Sequence, residues 1–499
     1  MRTTFTKTAL TLCAVYVVVF GGEAALEWWH AGSPGLSATS WVDVNNAKLV
    51  DILSPMARGY NNALAMLIAT IGLAIPLTAN MHTPKLIDMF LRDRLNQGML
   101  FLMALGAANV LFVDYLIGPH FAPMWAFRFA VGGALLGWAL VIPYFFYVVR
   151  FLDPSNILRR LKDDTTRLID EVLAGRLEPN DAQAQVHERL FQIGTIVLKS
   201  LDRADRGVAL EGIWTLKLIL DYHGERKAKL PAQWFVVDRA DFIGLSSEAL
   251  ELLNEEKTWF EMKALTQMFL AYGQALAKAP DVVSSISDAN RVIAVTASKR
   301  GDPKALELSV KYFNNFLREA IKKKDVHSIY DIFYEYRLLA RDLRDQPGLL
   351  HDIAHHFRYY SDLARAGGLE FVAQLATFDL GYIVRRAYEV ESPTAGSLLT
   401  TVLDIGHEQK GAVLPLVVKA KLILGGFFLE KGLTEEAKIV RENLADVAQS
   451  VLATAEHELL SASRSFFEVT DRQVNFEYTA PERREHVHEF VHSLAPAAG

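Results

Sequence analysis

Cysteine is almost missing. Cys13 stands alone in 499 residues, which excludes a disulfide framework and a multi-cysteine metal site. Charge is scarce over the first 150 residues, where 9 basic and 7 acidic side chains occur, against 43 and 51 in the remaining 349. Neither part concentrates positive charge, so nothing supports a nucleic-acid surface. No G-x-x-x-x-G-K-[ST] loop, G-x-S-x-G elbow, H-E-x-x-H helix or dinucleotide fingerprint is present. The common nucleotide enzymes and hydrolases lose their support with them, and no cofactor is implied. Gly425-Gly426 sits in an apolar helical run, not in a phosphate loop.

What the first part has is long apolar runs. The chain as a whole is 51% hydrophobic and 22% charged, with a mean hydropathy of +0.15. That average hides a membrane-like segment of net charge +2 (residues 1–150) and an ordinary acidic remainder of net charge −8. Four stretches approach the length needed to cross about 30 Å of hydrocarbon as helices. They are Thr8–Trp29, Ala63–Ala79, Gly98–Gly118 and Trp125–Val149. Pro76 interrupts the second and removes one backbone hydrogen bond.

Basic residues set the expected orientation. Arg2 and Lys7 precede the first span, Lys85, Arg92 and Arg94 lie between the second and third, and Arg150, Arg159, Arg160 and Lys162 follow the fourth. The opposite side has only Lys48 and Arg58, in a connection of about 33 residues, and Pro119–Pro123 has none. Both termini are therefore expected in the cytoplasm. Trp28, Trp29 and Trp125 fall at the outer interface. A second reading makes Thr8–Phe20, followed by Gly21-Gly22-Glu23-Ala24, a cleaved signal peptide. The following domain stays cytoplasmic under either reading.

The inner connection, Thr83–Leu95, reads as a short interfacial helix. Thr83 is the expected N-cap and Pro84 the first helical residue. Leu86, Ile87, Phe90, Leu91 and Leu95 share an apolar face, with Lys85, Asp88, Arg92 and Arg94 elsewhere. The pattern of Pro84, Lys85, Leu86, Leu91, Arg92, Asp93, Arg94, Asn96 and Gln97 resembles a bacterial membrane family of unknown function, domain of unknown function twenty-two fifty-four. The resemblance implies four N-terminal spans in the inner membrane and a cytoplasmic C-terminal domain. His187–Leu220 carries a weaker echo, and nothing matches beyond about residue 240. It supplies no activity.

From Ser155 onward apolar residues recur at three and four, as in Leu306, Val310, Phe313 and Leu317. Breakers such as Gly301-Asp302-Pro303, Gln346-Pro347-Gly348 and Gly432-Leu433-Thr434 punctuate helices paired into a stack. An all-α domain over 151–478 is expected, α-solenoid-like or a bundle, with Thr434 as an N-cap and a C-terminal helix plus loose tail over 479–499.

Several constellations could carry function. His488 and His492 share a helix face with Glu485 nearby, which reads either as a weak metal site or as a solvated charged helix. His351 and His355 repeat the spacing, but Asp352 stands where a zincin needs Glu. Within the spans Glu23, Glu27, Asn109, Asp114 and Arg128 stand out, because charge in hydrocarbon is costly and tends to be functional. The plain alternative is that they snorkel to the outer interface. Asp114 and Arg128 flank one tight outer turn, which predicts an ion pair that leaves Glu23 and Glu27 as negative charge at an outer mouth. Gly133 and Gly137 form a small-xxx-small face, suited to packing within one subunit or between subunits.

These features lead to two functional expectations. One is a homo-oligomeric, channel-like conduit whose cytoplasmic helical domain regulates it. The other is a membrane-anchored scaffold whose helical domain binds protein partners. The lipid bilayer is a partner in both.

Overall fold

A computed structural model describes residues 14–23, 25–27, 29, 46–81, 86–117, 123–237, 242, 244–343, 346–406, 413–465, 472 and 474–494. Helices make up almost all of it. Among the described residues there is no strand, and an isolated antiparallel bridge joins Ser465 to Val474. Two compact units emerge, Met1–Ile157 and Leu158–Gly499.

The first unit contains α1 (described over 14–23 and 25–27), α2 (Asn46–Met81), α3 (Leu86–Arg92), α4 (Arg94–Leu116) and α5 (Met124–Leu152). Three segments are long and apolar enough to cross a membrane: Lys48–Asn80, Arg94–Leu116 and Met124–Leu152. The second predicted span is thus the C-terminal half of a 36-residue helix that passes through Pro55 and Pro76. Asp51, Arg58, Asn61 and Asn62 broke the apolar run in the sequence, but the buried stripe continues beneath them. Leu49, Leu53, Ala57, Tyr60, Leu67, Ile71, Ile75 and Ala79 are all buried, at spacings of three, four and seven. The connection expected to be a long outer loop is therefore helical from Asn46. Thr8–Cys13, Thr83, Pro84 and Lys85 lie outside the described residues.

Small residues fill the interior of this unit. Ala57, Ala107, Ala126, Ala130 and Ala134 pack with Leu53, Tyr60, Val110 and Val113. Tyr60 occupies the space that Gly106 and Gly137 leave. A methyl group at Gly137 would overlap the Tyr60 ring, and one at Gly106 would lie 3.0 Å from its hydroxyl. Large apolar side chains point the other way: Met66, Leu73, Ile142 and Phe146 are each at least 60% exposed.

The second unit runs through most of α6 (Pro154–Leu173) and then α7 (Pro179–Asp202), α8 (Arg206–Arg226), α9 (Ser247–Glu256), α10 (Trp259–Ala275), α11 (Pro280–Arg300), α12 (Pro303–Lys323), α13 (Val326–Asp342), α14 (Pro347–Ala366), α15 (Phe371–Glu389), α16 (Ala395–Asp404), α17 (Pro415–Glu430), α18 (Thr434–Asn443), α19 (Gln449–Ser461) and α20 (Pro481–His492). From α10 to α17 each helix packs on the next but one, and most sequence-adjacent helices pack on each other as well, α13 with α14 and α16 with α17 excepted. Helices α11, α13, α15 and α17 make one layer, and α10, α12, α14 and α16 the other. This is a repeat-like stack of helix pairs. Its joints follow from local chemistry. At Gly301-Asp302-Pro303 the glycine ends α11 at φ +72°, Asp302 accepts from the Ala305 amide at 3.1 Å, and Pro303 opens α12. At α18 the expectation fails: Leu433 holds the cap position and Thr434 is the first helical residue.

Aromatic side chains fill the core between the layers. Phe313 stacks on Tyr336 at 5.0 Å, Tyr272 meets Phe316 at 4.7 Å, and Phe333 meets Phe357 edge-on at 4.9 Å.

Candidate functional site

Several polar residues of the first unit pair with one another, while Glu23 Oε2, Asn96 Oδ1, Asn109 Oδ1 and the Tyr144 hydroxyl are buried without a partner among the described residues. Asn109 on α4 donates its side-chain amide to Glu23 Oε1 on α1 at 3.0 Å, and both are buried. Ser54 on α2 donates to Asp114 Oδ1 on α4 at 2.7 Å. Glu27 accepts from the backbone amides of Trp125 and Ala126. It thereby serves as a distant cap for α5, whose own cap residue is Pro123 and offers no side-chain acceptor.

The expected Asp114–Arg128 ion pair does not form. Asp114 turns to Ser54, and Arg128 lies over the Trp125 ring at 5.1 Å. Nor are Glu23 and Glu27 loose charge at a mouth, because Asn109 and the α5 N-terminus engage them. Among the described residues neither Asp114 nor Glu27 takes a charged side chain as its hydrogen-bond donor. Their donors are a serine 60 residues away and a helix end without a side-chain cap, and charge pattern reveals neither.

The two glycines of the small-residue face part company. Gly137 packs against Tyr60 within the chain, whereas a Cβ at Gly133 would meet nothing within 4 Å.

The inner connection is a braced corner. Asp93 is the N-cap of α4 and accepts from the Asn96 amide at 2.9 Å. The Tyr147 hydroxyl of α5 donates to the same Oδ1 at 2.9 Å. Asn96 and Gln97 reach back with their side-chain amides to the carbonyls of Phe90 and Leu91, at 3.3 and 2.7 Å. Those carbonyls belong to the last turn of α3, where intrahelical donors run out. Leu86 and Phe90 are buried, and Ile87, Leu91 and Leu95 from the same expected face are exposed. Arg92 and Arg94 are exposed beside the corner.

In the second unit two buried charge networks escaped the sequence reading. Asp379 of α15 is fully buried and receives both terminal nitrogens of Arg472 at 2.6 Å, a bidentate pair. Arg337 adds a third contact at 3.6 Å. Near α8, Trp234 donates to His223 Nε2 at 3.1 Å. His223 Nδ1 faces Glu261 at 3.3 Å, and Lys227 joins Glu261 and Asp302 at 3.1 and 2.6 Å. Desolvation alone would raise the Glu261 carboxyl, but His223 and Lys227 outweigh it and hold it at about 2. The cavity beside Glu261 and Asp302 measures about 20 Å³. That admits a water and no substrate. Both networks fix helices to one another. A single Asp or Glu in an apolar run, as in Thr377-Phe378-Asp379-Leu380, is the signal that could have found them.

The C-terminal helix is not a solvated rod. Val487, Phe490 and Val491 are buried, and a Cβ at Gly425 or Gly426 of α17 would run into Phe490 or Val487. The double glycine exists to let two helix backbones approach. His488 binds Glu456 at 2.5 Å through Nδ1 and stands edge-on to His492 at 4.2 Å, while Glu485 is exposed and apart. Among the described residues no group of three or more His, Cys, Asp or Glu side chains could hold a metal ion.

Comparison with known proteins adds little. No protein-family model matches the chain, and no curated protein matches it. Among solved structures it is similar to a "Circular tandem repeat protein with novel repeat topology and enhanced subunit contact surfaces", at 13% identity and a TM-score of 0.36, over 87% of this chain and 96% of that one. A likeness of that degree bears on neither fold nor function.

Proposed function

We propose that this chain is a membrane-anchored scaffold: four N-terminal spans hold a helical stack in the cytoplasm, where its faces bind protein partners. One observation carries the choice over a conduit. Glu23, Glu27, Asn109 and Asp114 each form a hydrogen bond with another group of the same chain. The two oxygens of this set that are buried without a partner among the described residues, Glu23 Oε2 and Asn109 Oδ1, do not open onto a polar path. Stacked helix pairs offer extended binding faces, which supports the scaffold by analogy of fold. The exposed apolar surface of α2, α4 and α5 supports the membrane reading, and the basic residues flanking the inner connections support a cytoplasmic C-terminus. The likeness of the α3–α4 corner to the four-span family supports an inner-membrane location.

Three assays test this together. A cytoplasm-only reporter fused at Gly499 is expected to be active. Photo-crosslinkers at the exposed apolar positions Phe191, Trp214 and Leu270 are expected to trap a discrete protein adduct in cells. Proteoliposomes holding the full chain are expected to pass potassium no faster than empty ones. Flux well above the empty control, with no adduct at any of the three positions, would return the conduit to first place.

A further inference from the structure

Among the described residues, glycine, isoleucine and phenylalanine positions of the first unit border an open furrow. It has a volume of about 850 Å³ and runs between α2 and α4, with α3 closing one end and Val15 of α1 at its wall. That falls in the range of about 300–1,000 Å³ typical of small-ligand sites. Ile68, Gly72 and Ile75 of α2 face Gly98, Phe101 and Ala104 of α4 across it. A Cβ at Gly72 or Gly98 would meet nothing within 4 Å, so the two glycines hold the space open without serving any contact inside the chain. Its lining is apolar except at one end, where Arg94 and Gln97 stand beside Leu91.

The dimensions name an occupant. From Arg94 to Ala104 is ten residues of α4, roughly 15 Å at 1.5 Å per residue. That is about half of a 30 Å hydrocarbon core, the depth of one leaflet. A guanidinium at the interface end and an apolar furrow one leaflet deep complement a single anionic phospholipid. Arg94 forms no ion pair or hydrogen bond among the described residues, since Asp93 beside it is engaged by Asn96 and Tyr147. Gln97, which donates to the Leu91 carbonyl, lines the same end. We infer that this furrow is a specific site for one anionic phospholipid of the cytoplasmic leaflet, with an acyl chain between Gly72 and Gly98 and the phosphate on Arg94. The inference rests on the membrane placement of the first unit. It adds a defined lipid to a region otherwise treated as an anchor, and it predicts that the α3–α4 corner senses headgroup charge.

The test uses the full-length protein, delipidated in mild detergent, and native mass spectrometry with added phosphatidylglycerol or phosphatidylcholine. Wild type is expected to retain one phosphatidylglycerol per chain, with a preference over phosphatidylcholine of roughly fivefold for one cation at the headgroup. Arg94→Gln is expected to remove the preference and leave residual binding of both lipids. Gly72→Leu with Gly98→Leu is expected to reduce retention of both lipids, while the unfolding midpoint without lipid stays at or above wild type, because neither side chain meets an obstacle. Equal retention of the two lipids by wild type would overturn the inference. So would unchanged retention in the glycine double variant, or a lipid-free dimer that this variant dissociates. Carbonate washing of membranes separates the two levels: a chain released by carbonate defeats the membrane reading itself, and a chain retained without lipid preference defeats only this site.

Discussion

The two units use the same helix in opposite ways. In the first, alanines and glycines face inward and the bulky side chains of Met66, Leu73, Ile142 and Phe146 face outward. In the second, Trp234, Trp259, Tyr272, Phe316 and Tyr336 are buried and most exposed positions are polar. Water drives large apolar groups inside because that removes the most apolar area. Hydrocarbon exerts no such drive, so helices there associate through close backbone approach and a few polar contacts. On the proposed membrane placement, the interior of each unit reports the solvent outside it. The comparison extends to charge. The second unit buries full ion pairs such as Asp379 with Arg472, whereas the first uses neutral donors on its acids, Asn109 for Glu23 and Ser54 for Asp114.

The largest expected effect lies in the second unit. Arg472→Met leaves the Asp379 carboxylate buried with only the more distant Arg337, and should cost about 3–5 kcal/mol in chemical denaturation. Asp379→Leu combined with Arg472→Met should cost less than the sum of the single changes. Strict additivity would show that the pair does not act as one.

Next comes glycine. Gly426→Leu should cost about 1–3 kcal/mol by pushing Val487 off α17, and limited proteolysis should then release the C-terminal helix. Gly137→Leu should cost a similar amount against Tyr60. Gly133→Leu should stay within about 0.5 kcal/mol, because its Cβ meets open space. Equal effects at Gly133 and Gly137 would erase the distinction between an inner and an outer face of α5.

A pH effect separates the units further. Burial lowers the Lys421 ammonium of α17 to about 7, with Asp404 pulling the other way. Its nitrogen donates to the Leu403 carbonyl and to Asn443 at 2.7 and 2.9 Å. Between about pH 7 and the unfolded lysine value the unfolded chain binds the extra proton. Stability of the second unit should therefore rise with pH across that window, by at most about 1.4 kcal/mol per unit, and level off below it. Lys421→Met should flatten the slope, and an unchanged slope would clear Lys421 of responsibility. A modest effect belongs to the first unit. Asn109→Leu should cost roughly 0.6–1.7 kcal/mol in detergent, the range for a polar contact between membrane helices.

Much of this was legible in the residues, and the failures share a cause. The length of apolar runs located the three span-capable helices and periodicity the helical stack, because both are local patterns. The length of α2 was hidden, since Asp51, Arg58, Asn61 and Asn62 suggested a loop while a buried stripe ran beneath them. The corner at Asp93, Asn96 and Gln97 was visible as a motif without a mechanism. Only the structure shows that its amides satisfy the end of α3. Partnerships across long separations were not legible at all: Ser54 with Asp114, Glu27 with the start of α5, Asp379 with Arg472. Chain topology sets which groups meet, and the spacing of residues in sequence carries no trace of it.

Reactivity of single cysteines in membranes tests the central claim most directly. In a Cys13→Ala background, Leu73→Cys and Ile142→Cys sit on the outward face of the first unit, and Phe191→Cys and Leu270→Cys are comparably exposed in the second. If hydrocarbon covers the first pair, a membrane-impermeant maleimide applied to opened membranes should label Phe191→Cys and Leu270→Cys quickly. It should leave Leu73→Cys and Ile142→Cys untouched until dodecyl sulfate is added. Labelling of all four at similar rates before dodecyl sulfate is added would mean that water meets both surfaces, and the membrane reading would fall.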